Sequence, residues 1–320
     1  MSDGRWRDLA GPVGPLPTGA RNAITDVPGV RVGHARAASG ERTGVTVVAP
    51  PELPTAAATA TVNGVGELTA KLEIDERGRI ETPVYLCGSH AIGTVLQAAI
   101  LASGRGPDNI VLPVVGECDD GDLADSRTVV AADVEAALDA LGADVAEGSV
   151  GAGTGMQCYE FPGGIGTASR RVGAGTVGVL LLCNFGRRSY LDLLEGTAAA
   201  GDEPERPTPH GSCIAVCATD LPLSTAELQR LALRPLLGLV RTGSYGSEGS
   251  GEIGIAFTTG GGIAGGPGVG DETINDCFAA AYDAAREAVY NCLVTARPAR
   301  RLDGTMQPAF PVDAAVAASG

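Results

Sequence analysis

Short apolar runs of strand length alternate with longer stripes of helical period along this chain. Val30–Val32, Val45–Val48 and Val84–Leu86 predict short strands, and the all-apolar run Ile110–Val115 predicts another despite Pro113. Gly173–Cys183 predicts a glycine-interrupted strand whose Val177–Leu182 core is apolar at nearly every position, the signature of burial on both faces. Cys213–Ala218 and Ile253–Phe257 predict two more strands. Helices are predicted over Ala91–Ala102, closed by Ser103-Gly104, and over Ala131–Leu141, closed by Gly142. Ser224-x-x-Glu227 is a capping box that opens a helix through about Arg234, where Pro235 breaks or kinks it. Glu272–Ala296 predicts the longest helix, with Ile274, Phe278, Ala281, Ala285, Val289 and Cys292 on one stripe.

Strands and helices alternate without the regular beat of a doubly wound sheet, so periodicity gives α/β or α+β and no more. The 320 residues suffice for one large domain or two small ones, and 44% are hydrophobic, enough for a sizeable core. Only 4% are aromatic while 47 are glycine, a composition suited to closely packed elements with small side chains between them. The segment from Gly196 to Gly211 is polar and proline-rich and reads as a mobile linker.

Charge and cysteine usage narrow the function classes. A formal net charge of −15 argues against nucleic acid or an anionic membrane surface as partner. No run approaches the roughly 18 apolar residues that a membrane span requires. The first twenty residues lack the apolar core of a signal peptide, so a cytoplasmic protein is expected. None of the eight cysteines forms a C-x-x-C pair and most lie in apolar runs, which predicts buried, reduced thiols and no metal.

The most informative junction is Pro207-Thr208-Pro209-His210-Gly211-Ser212, which runs directly into the strand beginning at Cys213. A serine that follows a glycine at the mouth of a buried strand is where a self-cleaving precursor would expose an N-terminal nucleophile. Its hydroxyl would attack the preceding carbonyl, and hydrolysis of the resulting ester would free an α-amine able to act as local base. The same arrangement also fits a plain loop-to-strand junction. No histidine motif offers another base. The three histidines are His34, His90 and His210, and no G-x-S-x-G elbow accompanies them. The only lysine, Lys71, has no serine three positions before it and no G-x-x-x-x-G preceding it, which removes the S-x-x-K and phosphate-loop readings. Gly151-x-Gly153-x-Gly155 lacks the strand–loop–helix context of a dinucleotide site and reads as a glycine-rich turn.

Farther along come Arg241-Thr242-Gly243-Ser244, Gly249-Ser250-Gly251-Glu252 and Ile255-Ala256-Phe257-Thr258-Thr259. Upstream are Asn22-Ala-Ile-Thr-Asp26-Val-Pro-Gly29-Val-Arg-Val-Gly33-His34, Thr43-Gly-Val-Thr46, Asn63-Gly-Val-Gly66-Glu67 and Gly163-Gly-Ile-Gly166-Thr-Ala-Ser169-Arg170. Together with the Gly211-Ser212 junction this order resembles the DmpA/BapA-type self-processing aminopeptidases, the L-aminopeptidase/D-amino-acid esterase and β-aminopeptidase family, over most of the chain. The resemblance implies a layered α/β sandwich with β-sheet between helices. It would be one compact domain made of two self-cleaved pieces, an N-terminal 1–211 and a C-terminal 212–320. The implied activity is that of an N-terminal-nucleophile serine aminopeptidase or amidase acting through an acyl-enzyme on Ser212. Its substrates would be small amides, short peptides or esters bearing a free amine, it would use no cofactor, and it would assemble as a tetramer of cleaved heterodimers.

The resemblance also implies site roles. Ser250 and Glu252 would support the nucleophile, a hydroxyl to position a proton and a carboxylate to stabilise the ammonium of Ser212. Apart from the resemblance they read as a Gly/Ser-rich turn with a solvated carboxylate. Asn184, in Cys183-Asn184-Phe185-Gly186, would line an oxyanion hole, or simply make a turn after a strand. Glu117 would anchor the substrate's amine, and the nearby Asp119, Asp120 and Asp122 could be solvated or bind a cation. Two departures stand out. No aromatic residue lies in the turn after Glu117, and Gly88-Ser89-His90 replaces a Thr/Asn-rich turn. Two rival readings remain: an acyltransferase using the same acyl-enzyme, and a small-molecule-binding homologue that never cleaves.

Overall fold

The computed structural model describes residues 4–121, 123–197 and 211–319. The strands that build the site are β1 (Arg31–Arg36), β2 (Gly44–Ala49), β3 (Thr55–Gly64), β4 (Arg79–Ile80), β5 (Val84–Gly88), β6 (Val114–Cys118), β7 (Gln157–Cys158), β8 (Phe161–Pro162), β9 (Gly164–Val172), β10 (Gly175–Asn184), β11 (Gly211–Thr219) and β12 (Ser250–Thr258). The helices are α1 (Trp6–Ala10), α2 (Lys71–Arg77), α3 (Ile92–Ala102), α4 (Ala131–Asp139), α5 (Thr225–Arg241), α6 (Asp271–Thr295) and α7 (Val312–Ser319).

Four layers result. A six-stranded sheet runs in the order β4-β3-β12-β11-β10-β9, and a four-stranded sheet in the order β1-β2-β5-β6. Helices α5 and α6 cover one face of the larger sheet, the smaller sheet packs on its other face, and α3 and α4 cover the outside of the smaller sheet. Three apolar clusters fill the three interfaces, and alternation along β11 shows how. Cys213, Ala215 and Cys217 join the cluster under the helices, while Ile214, Val216 and Ala218 join the one between the sheets. This is the layered sandwich that the family resemblance implies. Among the described residues no helix is long and apolar enough to cross a membrane.

In the larger sheet only β11 and β12 run parallel, with α5 between them in sequence. That crossover brings the starts of both strands to the same end of the sheet, beside the end of antiparallel β10. Every residue of β10, β11 and β12 is buried.

Several elements differ from the sequence reading. The run Ile110–Val115 is not a strand throughout. Pairing starts at Val114, whereas Ile110 is 82% exposed and Pro113 has no N–H to donate to a ladder. Helix α5 does not stop at Pro235 but continues to Arg241, its apolar stripe held on the sheet by Leu228, Leu231, Leu236 and Leu239. Packing there outweighs the hydrogen bond that proline removes. Strand β3 went unread because its sequence is a run of Ala and Thr without an aliphatic alternation. The expected linker 196–211 falls mostly on 198–210, outside the described residues, and its last member, Gly211, already pairs in β11. The glycine-rich segment 151–155 is a buried turn in which a Cβ on Gly153 would lie 2.6 Å from the Ile165 nitrogen, so close packing, not a nucleotide, accounts for its glycines.

Two distant stretches that carried the family resemblance meet in the core. Arg170 and Glu287, both fully buried, form an ion pair at 2.6 Å. Arg7 makes a second pair to Glu287 at 2.9 Å, and Asn22 donates to the same carboxylate. Burial opposes the charge on Glu287, but Arg7 and Arg170 together hold it below the usual carboxylate range. Asn22 also accepts from the Ser169 backbone, so this knot ties the N-terminal segment to β9 and α6.

Candidate active site

The register of three strands decides which candidates meet. Ser212 lies opposite Asn184 on β10 and opposite Gly251 on β12, and Gly211 lies opposite Ser250. Ser212, Asn184, Ser250 and Glu252, scattered over 69 positions of sequence, thus share one end of the sheet. All four are at least 93% buried.

Alternation places them on two faces. Ser212 follows the face of Ile214, toward the smaller sheet, where its hydroxyl lies beside the Cys118 thiol. Cys118 in turn donates to the Leu182 carbonyl at 3.7 Å. Ser250 and Glu252 share the opposite face with Gly211 and Cys213. A Cβ placed on Gly211 would lie 3.5 Å from Ser250 Oγ, so the Gly211 side of the Gly211–Ser212 bond faces the Ser250–Glu252 pair. Ser250 Oγ donates to Glu252 Oε1, while Glu252 Oε2 is buried with no hydrogen-bond partner among the described residues. Burial raises the Glu252 pKa, opposed by the Ser250 hydrogen bond. A carboxylate with one unsatisfied buried oxygen is poised to receive a cationic donor.

Asn184 is the last residue of β10 rather than part of a turn after it. Its Oδ1 accepts from the Gln157 backbone at 2.9 Å and its Nδ2 donates to the Asp119 carbonyl at 2.6 Å. The carboxamide is fixed by these bonds, and Nδ2 keeps a second hydrogen to donate.

Glu117 projects from β6, the edge strand of the smaller sheet that packs on β11. Its Oε1 accepts from the Glu67 backbone at 2.8 Å, and Ser89 Oγ donates to its Oε2. The segment from Asn63 to Glu67 continues from β3 across Gly251, where a Cβ would lie 2.3 Å from the Val65 carbonyl, and so carries the wall between Glu252 and Glu117. The pairing register shifts between Glu252 and Ile253, an irregularity of the kind that re-aims side chains at functional sites.

Ser89, Cys118 and the Glu67 backbone were not singled out as site groups by sequence. Ser89 had appeared only as a departure from the family pattern, and Asn63–Glu67 as a motif without a role. Nothing in the sequence pointed to Cys118, because contact with Ser212 depends on how the two sheets are stacked. The acidic turn is built into the fold. Asp120 is buried and accepts from Thr43 Oγ1 at 2.8 Å, burial raising its pKa, and Asp119 caps the Gly121 backbone at 2.9 Å. Asp122 and His210 lie outside the described residues. His34 is on β1, three strands from the β6 edge, bonded to Thr46 Oγ1 at 2.9 Å and depressed by burial to about 4. His90 is exposed in the turn after β5.

Comparison with known proteins matches this arrangement to a family. The model of peptidase family S58 matches residues 22–307. The β-peptidyl aminopeptidase BapA of Sphingosinicella microcystinivorans is 38% identical, over 91% of this chain and 86% of that protein. The solved β-aminopeptidase of Burkholderia sp. superposes with a TM-score of 0.87 at 36% identity, over 98% of each chain. The L-aminopeptidase D-Ala-esterase/amidase of Ochrobactrum anthropi, described as a prototype of the serine aminopeptidases with a variant Ntn-hydrolase fold, superposes with a TM-score of 0.82 at 33% identity, over 98% of this chain and 97% of that one. With a matching family model that spans most of its length and relatives of this similarity, the chain belongs to peptidase family S58 and is a serine aminopeptidase/amidase of the Ntn-hydrolase fold.

Proposed function

We propose that the chain cleaves itself between Gly211 and Ser212 and then uses Ser212 as an N-terminal nucleophile. The register of β10, β11 and β12, which sets Gly211-Ser212 between Asn184 and the Ser250–Glu252 pair, carries this reading. Ser212 Oγ adds to the Gly211 carbonyl carbon, the C–N bond breaks as nitrogen takes up a proton, and an ester links the two residues. Water hydrolyses that ester. Gly211 then ends the N-terminal piece as a carboxylate, and Ser212 begins the C-terminal piece with a free α-amine. The new amine arises on the side of Ser212 that faced Ser250, where the unsatisfied Glu252 Oε2 supplies a counter-charge. Both pieces stay together because β11 and β12 of one pair with β10 and β3 of the other.

In turnover the same hydroxyl attacks the substrate's acyl carbon, with the α-amine as base and Ser250 positioning its proton. The free hydrogen of Asn184 Nδ2 and backbone N–H groups stabilise the oxyanion. Glu117, fixed by Ser89 and the Glu67 backbone, binds the substrate's ammonium. Substrates are small amides, peptides or esters with a free amine on the acyl part. The similarity to two β-peptidyl aminopeptidases adds β-aminoacyl amides to that class. A cytoplasmic tetramer of cleaved heterodimers is the expected form, which light scattering on the processed enzyme tests.

Intact-mass measurement of purified protein tests the cleavage: two masses, for 1–211 and 212–320, are expected. Ser212→Ala should give one full-length mass and no turnover, since one hydroxyl serves both reactions. A single full-length mass in active wild-type enzyme would refute the reading.

A further inference from the structure

Behind the catalytic strands lies a cluster of thiols that the proposed reaction does not use. Cys158 on β7, Cys183 on β10 and Cys292 on α6 place their three Sγ atoms within 4.8 Å of one another. All three residues are fully buried in the apolar layer between the larger sheet and its helices. Their sequence positions share no spacing; three separate elements bring them together. Cys292 Sγ accepts from the Gly164 backbone at 3.2 Å, and Cys213, the residue after Ser212, lies opposite Cys183 in the register of β10 and β11.

The surroundings select the ligand. Burial raises the pKa of all three groups, so they stand as neutral thiols. Three thiolates around a divalent cation would leave net negative charge in an apolar core. A ligand that consumes three thiols and leaves no charge avoids that cost. Arsenous acid does so: three S–H and three As–O bonds break, three As–S bonds form, and three waters leave. Arsenic stays trivalent, so no oxidant or reductant is needed.

We propose that Cys158, Cys183 and Cys292 form a binding site for trivalent arsenic, and that filling it inhibits the enzyme. Gln157 and Asn184, whose hydrogen bond fixes the Asn184 carboxamide, are the chain neighbours of Cys158 and Cys183. Drawing the two sulfurs onto one atom shifts β7 against the end of β10 and disturbs that contact. The inhibition, unlike the binding, rests on the role of Asn184 given above.

The test uses folded, processed enzyme incubated with arsenite without denaturant, then freed of excess reagent. Native mass spectrometry should show one added arsenic less three hydrogens per heterodimer, X-ray absorption three sulfur neighbours and no oxygen, and turnover should fall in step with uptake. Cys158→Ala and Cys292→Ser, the latter keeping an acceptor for the Gly164 backbone, should lose this three-sulfur adduct while keeping turnover. Cys217→Ala, whose thiol lies near Cys277 instead, should retain it. Uptake only after unfolding, or an unchanged adduct in both trio variants, would overturn the site. Zinc held as firmly as arsenite would overturn the charge argument. Arsenic bound at full turnover would overturn the inhibition.

Discussion

Gly211 offers a perturbation that separates self-cleavage from catalysis. It is the first residue of β11, paired with Ser250 on β12. The obstacle to alanine there is contact. A Cβ on residue 211 would sit 2.8 Å from the Asn184 carbonyl oxygen and 3.2 Å from Phe185 Cα, both backbone atoms that cannot rotate away. Inserting a methyl group into so tight a place costs about 1–3 kcal/mol. The relief available is a displacement of residue 211 away from β10, which carries its carbonyl out of line with Ser212 Oγ. At about 1.4 kcal/mol per tenfold in rate, Gly211→Ala should process roughly 10- to 100-fold more slowly than wild type. Once cleaved, residue 211 is the C-terminus of the other piece, so turnover per processed molecule should be unchanged. The assay follows precursor and product bands over time on a denaturing gel, then measures kcat/KM on the purified processed form. Wild-type processing would refute the steric argument. Slow processing with equally impaired turnover would refute the idea that Gly211 leaves the working site.

Glu252→Gln should lower kcat by about 100-fold or more, the scale of losing a proton-handling group. Burial raises the Glu252 pKa in the uncleaved chain, and the ammonium that cleavage places beside it pulls it back down, so in the processed enzyme its charged form is lost only as pH falls through the ordinary carboxylate range or below. The acid limb of the wild-type kcat profile should lie there, and an unshifted limb in Glu252→Gln would remove the carboxylate from that role. Capping the substrate's amine should cost at least about tenfold in kcat/KM through the lost charge-assisted contact, and Glu117→Gln should narrow the gap between an aminoacyl p-nitroanilide and its N-acetyl form. Equal wild-type rates on the two would exclude Glu117 as amine anchor. Glu287→Gln strands Arg170 fully buried beside a neutral partner and should destabilise by about 3–5 kcal/mol in chemical denaturation, with the arginine pair left to repel. A loss under 1 kcal/mol would mean that the knot relaxes or hydrates.

The sequence by itself determined the elements whose pattern is strong over many residues. Helix α6 runs within one residue of the stretch read from its apolar stripe, and β10 and β11 announce themselves as continuous apolar runs. Local chemistry also marked Gly211-Ser212, since a linker meeting a buried strand is written in adjacent residues. The Ala/Thr-rich β3 was silent because small side chains carry no periodic hydrophobic signal, yet it borders β12 and leads into the wall over Glu117. The continuation of α5 past Pro235 was decided by burial against the sheet, a longer-range energy than the local break. Only the tertiary structure set Ser212 opposite Asn184 and Gly251, with Ser250 beside Gly211 and Cys118 across the sheet interface. Register and sheet stacking are properties of pairs of distant segments, fixed by which hydrogen bonds and apolar faces fit together. No single stretch of chain encodes them, which is why the residues were legible one by one and their meeting was not.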